Sequence, residues 1–231
     1  MNPLISVVIP AFNEQKYVQR AINSIKKQTY KNSEVIVVTN GCTDNTFEIA
    51  KKTADKVYNL KSKGLAKAKN LGAHKSKGEI IIFLDADSIL EKHFLKQVVL
   101  LVEKGYDCGK AKAKSFEKSF KIKLFMCYQN IGSLIASVSY KIPDGFGMCL
   151  FITKKLFYKL EKKHGEVWNS KIPKLLDVDF LKKVKKEGKY KLVMNAAVKA
   201  STRRFRKYGF LKVEMEDAFK QKEVRDWGSY K

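Results

Sequence analysis

The sequence predicts an α/β fold, a mixed and mostly parallel central sheet flanked by helices. Three observations predict it. Short apolar or β-branched runs recur at residues 4–9, 34–38 and 80–84. Segments with helical spacing lie between them, and turn-forming Pro, Asn, Gly or Asp residues close each run. Strands that alternate with helices in this way pair in parallel through helical crossovers. The third run is the most informative. Ile80 to Leu84 is unbroken and apolar, as in a strand buried on both faces, and it runs straight into Asp85-Ala86-Asp87. Ligands of open α/β sheets collect at the carboxyl ends of such strands. Two carboxylates one residue apart can share a divalent cation that also bridges to phosphates. An isolated Asp-x-Asp serves equally well as a turn former or helix cap, so its meaning depends on the rest of the chain.

In order, residues 4–9 form the first predicted strand, closed by Pro10, and "PAFNE" is the loop that leaves it. Asn13 or Glu14 then starts a helix whose apolar positions are Val18, Ala21, Ile22 and Ile25. The second strand, 34–38, leads into "TNGCTDNT". There Asn40-Gly41 signals a turn, and Thr43 or Asp44 caps a helix over 46–53. "KVYNL" is a short third strand, and a small-residue helix precedes the strand that delivers the two aspartates. Beyond Ser88 the spacing predicts a helix over 94–102, then a mixed segment with six lysines between Lys110 and Lys123. A long amphipathic helix over 120–140 follows, whose stripe suits either core packing or an interfacial surface. "DGFGMCLFI" is a glycine-bearing loop entering a strand; Gly145 and Gly147 there permit close backbone approach. Helices over 154–163 and from "LLDVDF" to Gly188, a strand "KLVMNAAVKAS", a basic loop "TRRFRKYG" and an amphipathic helix containing Trp227 complete the chain.

Composition bounds the function. The 231 residues suffice for one large domain with a substantial core, and no apolar run reaches the roughly 20 residues of a membrane span. No secretory leader is visible. Cys42, Cys108, Cys127 and Cys149 stand apart without zinc-site spacing, which fits a reducing cytoplasm. The net charge of +24 suggests polyanionic partners, either phosphorylated substrates, anionic lipid or nucleic acid. Only five of the basic residues are arginine, which disfavours specific base reading, and no nucleic-acid-binding motif is present. A basic nucleic-acid-binding protein is thus the competing reading, and nucleic acid is not the expected partner.

Several motifs coincide in order: "SVVIPAFNE", "VIVVTNGCTDNT", "GLAKAKNLGAHKSKGEIIIFLDADS", "DGFGMCLFI" and "LDVDFLKKV". Together they resemble the family-2 glycosyltransferases, nucleotide-sugar-dependent inverting enzymes with the GT-A fold. The resemblance implies one catalytic domain over 1–231, its nucleotide-sugar half at about 1–90 and its acceptor half, with the C-terminal helix, at about 91–231. It implies that Pro10, Ala11, Asn13 and Glu14 line the nucleotide pocket, with Thr39, Asn40 and Asp44 near the base. Thr39 stands where members often carry an aspartate. Lys69 occupies a position where arginine is frequent beside the donor diphosphate; lysine there is a point charge without bidentate geometry. Asp85, Ala86 and Asp87 form the donor and metal segment, with Asp87 the direct ligand of Mn2+ or Mg2+. Asp177 matches the acceptor-side base, with Asp179 the fallback, and Leu176 replaces the glutamate that usually precedes it.

Arg203 and Arg204, with Gly145 and Gly147, are the phosphate or acceptor candidates. The "QxxRW" of processive members is absent, which argues against a polymerising synthase. His74, His93 and His164 all precede the late position of the extra metal-binding histidine found in some members. The implied partners are a nucleotide-sugar donor and an acceptor glycan or lipid-linked acceptor. Lysine clusters, Trp227 and the 120–140 stripe add peripheral contact with an anionic membrane, at the inner face of the cell membrane. A homologue that binds donor but transfers weakly is the remaining alternative, motivated by Thr39 and Leu176.

Overall fold

The computed structural model of the chain describes residues 2–117, 119–138, 147–172, 176–201 and 203. Its frame is a single sheet ordered β3-β2-β1-β4-β7-β6-β8-β5. The strands are β1 (Ile5–Ala11), β2 (Ser33–Asn40), β3 (Lys56–Leu60), β4 (Ile80–Leu84), β5 (Ser88–Leu90), β6 (Cys108–Ser115), β7 (Cys149–Thr153) and β8 (Tyr190–Ala200). β1 pairs in parallel with β2 and β4, β2 with β3, and β6 with β8; β7 runs antiparallel to β4 and β6, and β5 antiparallel to β8. The sheet is therefore mixed and mostly parallel, as the alternation of apolar runs predicts.

Seven helices flank it among the described residues: α1 (Val18–Lys26), α2 (Thr46–Lys51), α3 (Leu65–Lys75), α4 (Phe94–Glu103), α5 (Phe120–Val138), α6 (Lys154–His164) and α7 (Leu176–Glu187). The side-chain period of two divides the sheet between two cores. On one face Val7 and Ile9 of β1 and Ile80, Ile82 and Leu84 of β4 pack with residues of α1, α2 and α4. On the other Val8, Ile81 and Phe83 pack with residues of α3, α6 and α7. All five side chains of β4 are buried, which explains its uninterrupted apolar run.

Differences from the sequence reading are local. Asn13 adopts a left-handed conformation (φ 54°), which prevents it from starting a helix, so α1 begins at Val18. The lysine-rich segment contains β6, hidden because alternating Lys and Ala lack the β-branched residues that mark strands. β5 is three residues long and equally silent. Close approach explains two glycines. A methyl group at Gly72 would lie 2.2 Å from Val8 Cγ1, and one at Gly109 would lie 2.0 Å from the Lys191 carbonyl oxygen. Arg204, Gly145 and the Trp227 segment lie outside the described residues.

Glu34 ties the start of β2 to its neighbours. It accepts hydrogen bonds from Ser6 Oγ (2.6 Å), Lys56 Nζ (2.7 Å) and the Lys77 amide (2.7 Å). Burial would raise its pKa, but the bonds from Lys56, Ser6 and Lys77 outweigh it and hold the carboxyl below 4.5. A depressed folded-state pKa gives stability that is present above the unfolded value and is lost as pH falls through the folded one. Denaturation midpoints measured from pH 7 downward should therefore fall more steeply below about pH 4.5 in the parent than in Glu34→Gln, which lacks this titration and starts less stable.

Candidate active site at the carboxyl edge of the sheet

The loops that leave β1 and β2 are stitched together. Asn13 Nδ2 donates to Thr43 Oγ1 (3.2 Å) and Asn13 Oδ1 accepts from the Thr43 amide (2.9 Å). The Glu14 amide donates to Thr46 Oγ1 (2.8 Å) and the Gln15 amide to Asp44 Oδ2 (3.2 Å). Asp44 also accepts from the Thr46 amide (3.0 Å) at the start of α2, whose N-cap position is Asn45. Burial opposes ionisation of Asp44, but its bonds from Thr46 and Gln15 hold its pKa below the usual carboxylate value. The result is a rigid double loop at the ends of two adjacent parallel strands.

Asn40 and Thr39 turn inward. Asn40 is 2% exposed; its Nδ2 donates to the Ala11 carbonyl (2.9 Å) and its Oδ1 accepts from the Gly64 amide (3.2 Å). Thr39 is fully buried, its hydroxyl 2.9 Å from Asn59 Oδ1. Pro10 and Ala11 are the last residues of β1, both buried. These residues shape the cradle through backbone and packing.

Two ion-paired groups occupy the edge itself. In the first, Lys69 of α3 is 1% exposed, and its ammonium lies 2.8 Å from Asp177 Oδ1 and 3.8 Å from the centre of the Trp168 ring. Trp168 stacks on Phe180 (4.2 Å, 1°) and is held by Asn70, whose amide donates to its carbonyl (2.8 Å) and accepts from its N–H (3.1 Å). Behind the carboxylate stands Gly147, where an added methyl would lie 2.4 Å from Asp177 Cγ. Gly147 thus provides room for Asp177.

In the second, Arg203, just past β8, donates from Nη1 to Glu14 Oε2 (2.9 Å) and from Nη2 to Glu14 Oε1. Its Nη2 also lies 3.3 Å from Asp87 Oδ2, and the guanidinium covers the Tyr17 ring at 5.0 Å. Asp179 faces another way and pairs with Lys183 (2.7 Å) along α7. Residues two apart on a helix diverge, so only Asp177 joins the edge.

Four carboxylates (Glu14, Asp85, Asp87 and Asp177) thus meet two cations, Lys69 and Arg203. The imbalance is felt by the acids after β4. Burial, opposed by Lys69 and reinforced by the charges of Asp177, Asp87 and Glu14, pushes Asp85 up to about 8. Burial also raises Asp87, against the pull of Arg203 and with the push of Glu14. Among the described residues no group of three or more His, Cys, Asp or Glu could hold a metal alone. Magnesium-like ions, however, are commonly held by one or two carboxylates together with substrate phosphates and water. An excess of acidic groups around Asp85-Ala86-Asp87 fits that arrangement.

Pairing across the chain was beyond the sequence. Nothing in it signals that Arg203 reaches Glu14, 189 positions away, or that Trp168 underlies Lys69.

These features define a GT-A fold with a polar site at the carboxyl edge of its sheet. A structure of residues 1–349 of S. aureus TarS in complex with UDP-GlcNAc superposes with a TM-score of 0.62, at 19% identity, over 86% of this chain and 58% of that one. The mannosyltransferase PcManGT from Pyrobaculum calidifontis, in complex with GDP-Man and Mn2+, does so with 0.63, at 17% identity, over 81% of this chain and 54% of its own. The glycosyl transferase family 2 model matches residues 6–160, and the chain belongs to that family. Glycosyltransferase GlyG of Streptococcus pneumoniae serotype 4 is 38% identical over 109 residues, 45% of this chain and 36% of GlyG. The chain spans about a third of the length of such curated relatives.

The Lys69–Asp177 pair is testable without any substrate. A buried ammonium that loses its partner is strongly unfavourable. Asp177→Asn should therefore cost more stability in the parent than in a Lys69→Met background, by about 1–3 kcal/mol in a double-mutant cycle of denaturation midpoints. Equal costs would mean the two groups do not interact.

Proposed function

We propose that this protein transfers a sugar from a nucleotide-sugar donor to an acceptor hydroxyl, or to a lipid-linked phosphate acceptor, with inversion at the anomeric carbon. The observation that carries the reading is the convergence of Asp177, Lys69, Asp85, Asp87 and Arg203 on the stitched loops after β1 and β2, in a chain of glycosyl transferase family 2. Binding of UDP-GlcNAc by TarS, and of GDP-Man with Mn2+ by PcManGT, supports a nucleotide-sugar donor and a divalent metal.

In this reading the double loop of Asn13, Glu14 and Asp44 receives the nucleoside, with residues up to about 90 forming the donor half of one catalytic domain. Asp87 and Asp85 are the residues that would hold Mn2+ or Mg2+. The metal, when bound, supplies Lewis-acid stabilisation of the charge that develops on the leaving phosphate. Asp177 is the base. Its Oδ1 is oriented by Lys69, and 29% side-chain exposure leaves an approach for the acceptor hydroxyl, whose proton it takes as the oxygen attacks. Arg203 turns its guanidinium from Glu14 and Asp87 toward the diphosphate, supplying positive charge as the donor bond breaks. The basic surface places the enzyme in peripheral contact with an anionic membrane on its cytoplasmic face.

The test begins with a thermal-shift panel of nucleoside diphosphates and nucleotide sugars, each with Mn2+, Mg2+ or chelator. One base should raise the melting temperature in a metal-dependent way, and Asp87→Ala should abolish that metal dependence. With the donor so found, Asp177→Asn should lower turnover about 100- to 10,000-fold while preserving the donor shift. Gly147→Ala, which displaces Asp177, should lower turnover about 100-fold with donor binding intact. Parent turnover no higher than that of Asp177→Asn would leave a donor-binding homologue with weak transfer. No shift with any nucleotide would remove the transferase reading.

A further inference from the structure

Helix α5 is built with its polarity reversed. Its inward face is the more polar one. Asn130 pairs with both backbone groups of Ala113 in β6, accepting from the amide (2.9 Å) and donating to the carbonyl (2.8 Å). It takes up this edge where β6 has parted from β7, whose pairing ends at Lys110. Ser133 Oγ receives the buried Lys110 ammonium at 2.8 Å, and the Ala136 carbonyl receives the Lys185 ammonium at 2.6 Å. Among the described residues of the helix, Ile122, Met126 and Ala136 contribute the buried apolar side chains.

The outward face carries the large apolar groups. Phe120 (77% exposed), Leu124 (61%), Tyr128 (66%), Ile131 (53%) and Ile135 (51%) line one stripe, with Leu134 beside it. The stripe spans residues 120–135 of the 19-residue helix, about 24 Å. From Leu124 onward the helix contains no charged residue. A contiguous apolar face of this extent marks a contact surface.

Charge selects the occupant. The sequence around the helix is basic, with a single acid, Glu117, in residues 108–143; Lys110 is buried against Ser133 and Lys114 pairs with Glu91, while Lys121 and Lys123 are exposed at the start of the stripe. A second copy of a chain carrying +24 would bring like charge to this face. An apolar stripe with exposed lysines at its start is instead the pattern of a helix lying in the plane of a bilayer, its apolar side in the acyl boundary and its cations among anionic headgroups. Among the described residues no helix is long and apolar enough to cross a membrane, so contact in the plane is the arrangement open to α5.

We propose that the outward face of α5 docks the protein on an anionic lipid bilayer. This rests on the peripheral-contact reading above and assigns that contact to one surface. It also bears on the site. Lys185, which donates to the C-terminal turn of α5, belongs to α7, the helix that begins beside Asp177. Docking through α5 therefore places the helix that carries the candidate base next to the docked one.

The experiment is flotation of the full chain with vesicles of phosphatidylcholine alone or mixed with phosphatidylglycerol, at low and high salt. The parent should float with the mixed vesicles at low salt. Leu124→Ser/Ile131→Ser/Ile135→Ser should lower the bound fraction about tenfold or more, and Lys121→Glu/Lys123→Glu should weaken binding and its salt dependence. Both variants should keep the parent melting temperature and nucleotide thermal shift. A parent that never floats overturns both this assignment and the peripheral reading. Flotation of the triple variant at the parent level overturns the assignment alone. A marked fall in its melting temperature means the stripe is packed against the chain itself, and a parent dimer that dissociates on substitution means a second copy covers it; either result overturns the proposal.

Discussion

The contact on which the site depends is the one between the Lys69 ammonium and the Asp177 carboxylate, 108 positions apart in sequence. A lysine that is 1% exposed is tolerated only where its charge is answered. Two groups in contact answer it, Asp177 directly and the face of Trp168, and Asp85 at the end of β4 lies within range of its charge. Each comes from a different part of the chain, from the start of α7, from the turn after α6 and from the end of β4. Satisfying one buried cation thus fixes the position of α3 relative to the second half of the domain. Phe180, on α7 one turn beyond Asp177, stacks under Trp168, so the aromatic floor and the carboxylate move as one unit.

The second consequence is electrostatic. Lys69 and Arg203 each hold one carboxylate closely, Asp177 and Glu14, and act at longer range on Asp85 and Asp87. Burial, with the neighbouring acids adding to it against Lys69, is what raises the pKa of Asp85 to about 8. An edge in that state has higher affinity for a cation than for an anion. Under the proposed function, a diphosphate would bind such an edge together with a metal rather than before it. Arg203 has a double position in this scheme. Closed on Glu14 and Asp87, it offsets the excess of acid; in the proposed function it would turn outward to a phosphate.

Much of this was legible in the sequence, and what was not has identifiable reasons. β1, β2 and β4 announced themselves because strands buried on both faces admit only apolar side chains. β6 did not, because its Lys-Ala alternation places long cationic side chains such as Lys110 on one side and small ones on the other, and neither marks a strand. The acids after β4, Asp44 at the start of α2 and Asp177 at the start of α7 were readable from local position and from resemblance. Partnerships were not. That Gly147's missing side chain makes room for Asp177, and that Lys69 is enclosed by Trp168 and Asp177, could not be read from either residue's local sequence. Roles that arise from contact between distant segments leave no local trace.

The same distinction governs α5. Its spacing announced an amphipathic helix, and spacing alone says nothing about which face turns inward. The structure settles that through hydrogen bonding: Asn130 is shaped to complete the free edge of β6, and Lys110 and Lys185 each need an oxygen that α5 supplies. Once these polar requirements orient the helix, Leu124, Tyr128, Ile131 and Ile135 have no choice but to face out. An exposed stripe of that kind is costly in water and a hazard for aggregation unless something covers it. Its persistence beside lysines, on the helix that abuts the one bearing the candidate base, links the packing of the fold to the place where an acceptor would arrive.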